Sequence, residues 1–211
     1  MAKGHWPMTE QILERMNLSM GLRCLDIGCG NGYAVREMAR RVVPNGEALG
    51  IDIAPLMIQE ALAHPDNPPN VDFRVSAAEC LPFEADSLDR VLSVEAIYYM
   101  PDPLTALQEW HRVVRSGATV WLMVDFYQEN PYCHCWADWV EIPMHLYAQQ
   151  EYQALLQKAG FQDVQMDRLF NPKPLTEADK ANFKPGWGFE TVADVMDFRT
   201  RVGSLLVWGR K

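Results

Sequence analysis

Residues 25–32 read Leu-Asp-Ile-Gly-Cys-Gly-Asn-Gly, and everything else in the chain is placed by them. A buried strand that ends in glycines and opens a helix brings bare backbone N–H groups, together with the positive end of the helix dipole, up to a ligand. That ligand is expected to present an anionic or carboxylate group. A dinucleotide fingerprint needs a glycine at the sixth position of GxGxxG, but Tyr33 stands there and the glycines fall at 28, 30 and 32, which disfavours NAD. Twenty residues after Gly32, Asp52 closes the next apolar run, where a carboxylate can accept both hydroxyls of a ribose. The expected ligand is a nucleoside with a small carboxylate end.

Outward from this stretch, short apolar runs alternate with helical patterns, the signature of βαβ units. Strands are expected at Arg23–Ile27, Glu47–Ile53, Val71–Val75, Leu88–Val94, Thr119–Phe126, Val164–Leu169 and Ser204–Trp208. Helices are expected from Tyr33 to Pro44, with Arg36, Arg40 and Arg41 on a solvated face, and from Pro55 to about Ala63, Pro103 to Val114 and Gln149 to Ala159. An opening helix with Thr9 as N-cap carries Ile12, Leu13, Met16 and Met20 at helical spacing. Asn130-Pro131 suits the start of a further helix to about Ile142, with Tyr132, Trp136, Trp139 and Val140 on one face. Two aromatic segments, about 128–147 and 172–201, fall outside the βα rhythm and are expected to cap the open end of the sheet. The fold class is therefore α/β: one doubly wound, Rossmann-like, seven-stranded, mostly parallel sheet with an antiparallel last strand and helical cap insertions, 1–211 forming one domain.

Composition agrees. With 211 residues, 48% hydrophobic and 22% charged, the chain can bury a continuous core without disulfides or a structural metal. A formal charge of −9 gives no electrostatic footprint for duplex DNA or an anionic membrane. Neither a signal peptide nor a stretch long enough to span a membrane is visible, and the five irregularly spaced cysteines do not form a secreted disulfide framework, so a cytoplasmic location is expected.

Four motifs occur in order: LDIGCGNG, GIDIAPLMI at Gly50–Ile58, AECLPF at Ala78–Phe83, and LDRVLSVEAIYYMPDP at Leu88–Pro103. With them the chain resembles the class I S-adenosylmethionine (SAM) dependent methyltransferases, specifically the small-molecule type 11 group. The resemblance covers Leu22 to about Asp125, roughly half the chain. It implies SAM as cofactor, S-adenosylhomocysteine as product and a small-molecule methyl acceptor. By the same resemblance Gly28, Gly30 and Gly32 cradle the methionine part of SAM, Asp26 shapes that loop, and Asp52 holds the ribose. Ile53 and Met57 line the adenine slot, the backbone of Ala78 and Glu79 reads the adenine edge, and Ser93 offers main-chain contacts near the sulfonium. The chain departs from the pattern at Ala77, where many relatives carry an acid that bonds the adenine amino group; Glu79 or a water is the available substitute.

Methyl transfer asks mainly for alignment and exclusion of water, because the methyl arrives activated. A base is needed only when the attacking atom still holds a proton. The candidates are Glu95 and Tyr98, just past the fourth strand, and His134, oriented by Asp138 four residues on. His5 and Trp6 are candidates to fold over the cofactor. Cys133, His134 and Cys135 lack the paired CxxC spacing of a zinc site, and no metal is expected. The aromatic caps point to a partly apolar acceptor. The competing expectation is a SAM-binding regulatory protein of the same fold that has lost catalysis.

Overall fold

The computed structural model describes residues 2–211. Seven strands, β1 (Arg23–Ile27), β2 (Glu47–Asp52), β3 (Val71–Val75), β4 (Leu88–Val94), β5 (Val114–Val124), β6 (Gln162–Leu169) and β7 (Ser204–Arg210), form one sheet in the order β3-β2-β1-β4-β5-β7-β6. The first four neighbour pairs are parallel, and β7 runs antiparallel to both β5 and β6. The expected fold class stands. β1, β3 and β4 have the bounds expected of them, since an apolar run between turn residues leaves little freedom at either end. β5 starts five residues before the expected Thr119, directly after its helix. An irregularity in its pairing with β4 between Leu88 and Arg90 absorbs the extra residues.

Helices α1 (Ala2–Arg15), α2 (Tyr33–Arg41) and α3 (Pro55–Leu62) pack with Ile12, Leu13, Met16, Val35, Met38, Ile58 and Ala61 on one face of the sheet. On the other face α4 (Pro103–Val113) and α5 (Gln149–Lys158) bury Leu107, Trp110, Tyr152 and Leu156 against β1, β4 and β5. Strands covered on both faces explain the near-continuous apolar runs of the sequence. Both α3 and α4 open on a proline whose missing N–H is no loss in a first turn, and Asp102 caps α4 by accepting from the backbone N–H groups of Leu104 and Thr105.

Four expectations are corrected. Thr9 is not an N-cap: it lies inside α1, and its hydroxyl donates to the His5 carbonyl and bonds Tyr33 Oη at 3.0 Å. Met20 lies beyond the helix and is exposed. Arg36 is buried, not solvated, because its guanidinium donates to the Asn31 carbonyl at 2.8 Å and so braces the glycine loop. The helix expected from Pro131 to Ile142 is only a 3-10 turn at Trp136–Asp138. There the aromatic rings are used between segments: Trp136 and Trp139 meet Trp187 edge to face, and Tyr132 meets Phe189 and Phe198. In the second segment α6 (Glu177–Ala181), α7 (Val192–Asp197) and a π-helical turn (Phe198–Val202) lead into β7.

Trp110 has no exposed surface and anchors the α4 core. Trp110→Ala is expected to destabilise the chain by about 3–5 kcal/mol in urea unfolding, and a loss below about 1 kcal/mol would contradict this packing.

Candidate active site

The chain leaves β1 through Gly28, Gly30 and Gly32, all with positive φ. A side chain on Gly28 would meet Ala96 Cβ at 2.4 Å, whereas one on Gly30 would meet nothing within 4 Å. The loop is therefore packed tightly beneath and open above Gly30. Its backbone is held from β2: the N–H groups of Gly28 and Cys29 both donate to the Ile51 carbonyl, and that of Gly30 donates to Asp52 Oδ2 at 2.9 Å. Asp52 Oδ1 accepts the Ala54 N–H at 2.9 Å. Among the described residues no hydrogen bond joins the Asp26 carboxyl to the loop, so the shaping expected of Asp26 falls to Asp52 and Ile51.

Asp26 is buried at the end of β1, and among the described residues its Oδ1 has no partner. Burial, and then the nearby charge of Asp52, push its carboxyl up to about 8. Glu79 is half-buried with Oε1 enclosed and unpartnered. Ile53 is exposed, Met57 half-buried, and Ala78 buried in the turn after β3. Ser93 is buried, and its hydroxyl donates to the Ile27 carbonyl at 2.9 Å.

Glu95 follows β4 with φ of 57°, a strained conformation for a non-glycine residue that aims its carboxylate inward. Its Oε2 accepts from Tyr98 Oη at 2.7 Å and its Oε1 from the Asp125 N–H at 2.5 Å. Burial raises the Glu95 carboxyl well above its usual range, the Asp125 charge adds to this, and burial likewise raises the Asp125 carboxyl. His5 Nδ1 lies 3.7 Å from Asp125 Oδ2. Ligand-type atoms of His5, Glu95 and Asp125 all fall within 4.8 Å of one another. Asp125 was not singled out by the sequence; its only signal is a carboxylate closing the apolar run Val120–Val124. His134, by contrast, is exposed, with Nε2 at 2.9 Å from the Gln128 carbonyl, and among the described residues no bond ties it to Asp138. Once the helix is absent, the four-residue spacing no longer pairs them.

A cavity of about 300 Å3 lies beyond Asp125. It is walled by Met8, Leu169, Phe189, Val195 and Phe198, with His5, Asp125 and Arg199 as its charged or titratable lining. The ends of the strands thus carry the glycine loop, open above Gly30, and a largely apolar cavity that Asp125 lines.

The profile of the methyltransferase domain family matches residues 25–122. Over 170 residues the chain is 32% identical to 2-methyl-6-phytyl-1,4-hydroquinone methyltransferase 2, chloroplastic, of Oryza sativa, covering 79% of this chain and 47% of that one. The chain spans about half the length of the curated relatives it matches. In structure it is similar to the methyltransferase in a complex with the Haloferax volcanii Trm112 methyltransferase activator, with TM-score 0.89 and 30% identity over 100% of this chain and 91% of that one. A SAM-dependent methyltransferase of Mesorhizobium loti shares the fold at TM-score 0.72 and 17% identity, covering 98% of this chain and 97% of that one. The chain belongs to the SAM-dependent methyltransferase family. SAM is the cofactor of that family, and the residues present fit it: the open face of Gly30 admits a carboxylate, and the unpartnered Asp26 and Glu79 oxygens can accept from amino groups.

The raised Asp26 carboxyl has a pH signature. The folded chain holds this proton more tightly than the unfolded one, so the associated stability is complete below about pH 4 and is lost as pH rises through about 8. Asp26→Asn, which cannot ionise, is expected to flatten this part of the decline in Tm across that window in the ligand-free chain; an unchanged slope would contradict the burial of an unpaired carboxyl.

Proposed function

We propose that the chain transfers a methyl group from SAM to a small, partly apolar metabolite by in-line attack. The observation that carries this reading is the glycine loop, open above Gly30 and held by Asp52, with a largely apolar cavity beyond Asp125. Bound SAM supplies an activated methyl on a sulfonium centre. The backbone at Gly28, Gly30 and Gly32 receives its methionine end, and Asp26 accepts from its ammonium. Asp52, whose carboxylate oxygens each keep a lone pair beyond their backbone bonds, takes the ribose hydroxyls. Ile53 and Met57 cover the adenine, Ala78 presents its backbone to the adenine edge, and the Glu79 carboxylate stands in for the acid missing at Ala77. Ser93 contributes main-chain contacts, while Glu95 and Tyr98 floor the path from cofactor to cavity. His134 is set aside as a base because it is exposed and bonded elsewhere.

For the acceptor, the named substrate of the Oryza relative is a prenylated hydroquinone, and other relatives carry ubiquinone or menaquinone pathways in their names. A flat ring with an apolar substituent suits a cavity walled by Met8, Leu169, Phe189 and Phe198. We extend the reading to one protein partner, an activator of the Trm112 kind. In support, β3 is an unpaired edge strand of the sheet and exposes Val75, and its neighbour α3 exposes Leu56 and Leu62. Leu56→Asp with Val75→Asp is expected to abolish co-elution with such an activator in size-exclusion chromatography. Co-elution unaffected by both substitutions, or absent for the unmodified chain, would remove the partner from the proposal.

Gly30→Asp tests the cofactor site. Aspartate tolerates the left-handed conformation at this position, so the chain should fold, with its carboxylate against that of the ligand. At least a hundredfold loss of SAM affinity is expected by calorimetry with an unchanged circular dichroism spectrum; retained affinity would overturn the site.

A further inference from the structure

We propose that His5 and Asp125 form a general-base dyad, and that the acceptor is therefore a compound attacking through an ionisable hydroxyl, of which a phenol is the type. The inference rests on the methyltransferase reading and adds the base and the chemical class of the acceptor. Among the described residues, His5 Nδ1 and Asp125 Oδ1 are both buried without a hydrogen-bond partner, although Nδ1 is only 3.7 Å from the other oxygen of the same carboxylate. They line a largely apolar cavity together with Asn171, Arg199 and Ser204, and buried polar atoms without partners are costly to keep unless a ligand completes them.

The dyad is held from three sides. Glu95 Oε1 fixes the Asp125 backbone, Tyr98 fixes Glu95, and Thr9 in α1 bonds the His5 carbonyl while its own oxygen meets Tyr33 Oη. The charged and titratable groups around His5 are thus Asp125 from β5, Glu95 after β4, the phenols Tyr33 and Tyr98, and Arg199 from the π-helical turn. Burial raises the Asp125 carboxyl, and the proximity of His5 and then Ser204 draws it back. In the reaction the hydroxyl proton passes to the imidazole. An oxygen lone pair then forms the new O–CH3 bond as the sulfur–methyl bond breaks, its electron pair remaining on sulfur. The proton leaves His5 for solvent after product release.

The test uses 4-nitrophenol, whose neutral and anionic forms absorb at different wavelengths, on protein saturated with S-adenosylhomocysteine so that no turnover occurs. An apolar cavity alone favours the neutral form. The dyad predicts bound phenolate below the pH at which the free probe ionises, with the transition moved up by about one pH unit or more, tenfold in the ionisation equilibrium, in both His5→Gln and Asp125→Asn. If Asp125→Asn does not fold, His5→Gln on the half-buried α1 carries the test. Bound neutral probe, no binding of the probe, or a shift seen only in Arg199→Gln would each overturn the dyad while cofactor binding in the same sample leaves the methyltransferase reading intact. Failure to bind S-adenosylhomocysteine would overturn both.

Discussion

The turn out of β1 depends on a clamp from the neighbouring strand. Ile51 takes two N–H groups of the glycine loop with one carbonyl, and Asp52 takes the Gly30 N–H and the Ala54 N–H with the two oxygens of one carboxylate. In this way a single residue fixes the loop after β1 and the start of the chain toward α3. Asp52 can do so only because β1 and β2 pair in register, Ile27 opposite Ile51. A change that disturbed the register would disorder the loop, the Asp52 carboxylate and the start of α2 together, which is why the loop and the sheet are one structure.

A second constraint is the concentration of carboxylates where the strands end. Asp26, Glu95 and Asp125 close β1, β4 and β5, and burial raises all three. Each raised carboxyl is a cost to the ligand-free fold and an asset toward a cationic or proton-bearing ligand, since ionisation becomes favourable when a positive group or a transferable proton arrives. The structure keeps these groups from collapsing on one another by engaging Glu95 fully, through Tyr98 and the Asp125 N–H, and leaving oxygens of Asp26 and Asp125 open.

Much of this was legible in the sequence, because strands buried on both faces announce themselves as apolar runs and a glycine triplet after the first of them has few other uses. Asp52 ends β2, and Glu95 and Tyr98 lie just past β4, as the strand pattern implied. What could not be read depended on contacts between distant segments. The aromatics of 131–142 have helical spacing, yet they are committed to Trp187, Phe189 and Phe198, and Asn130 spends its side chain on the Asp125 carbonyl and the Tyr132 N–H. Thr9 and Arg36 misled for the same reason: each has a partner some distance along the chain or in the adjoining loop that propensity alone does not reveal. Asp125 was overlooked because one carboxylate after an apolar strand carries no spacing signal, and it gains meaning only when α1 brings His5 beside it.

The central claim, that the cleft over Gly30 takes an S-adenosyl ligand, is tested most directly by calorimetric titration of the unmodified chain with S-adenosylhomocysteine in two buffers of different ionisation enthalpy, with NAD as control. The account predicts saturable one-to-one binding of S-adenosylhomocysteine, none of NAD, and at pH 7 an apparent enthalpy that differs between the buffers as Asp26 releases its proton to the buffer on pairing with the ligand's ammonium. Binding of NAD in place of S-adenosylhomocysteine, or binding of neither, would contradict it.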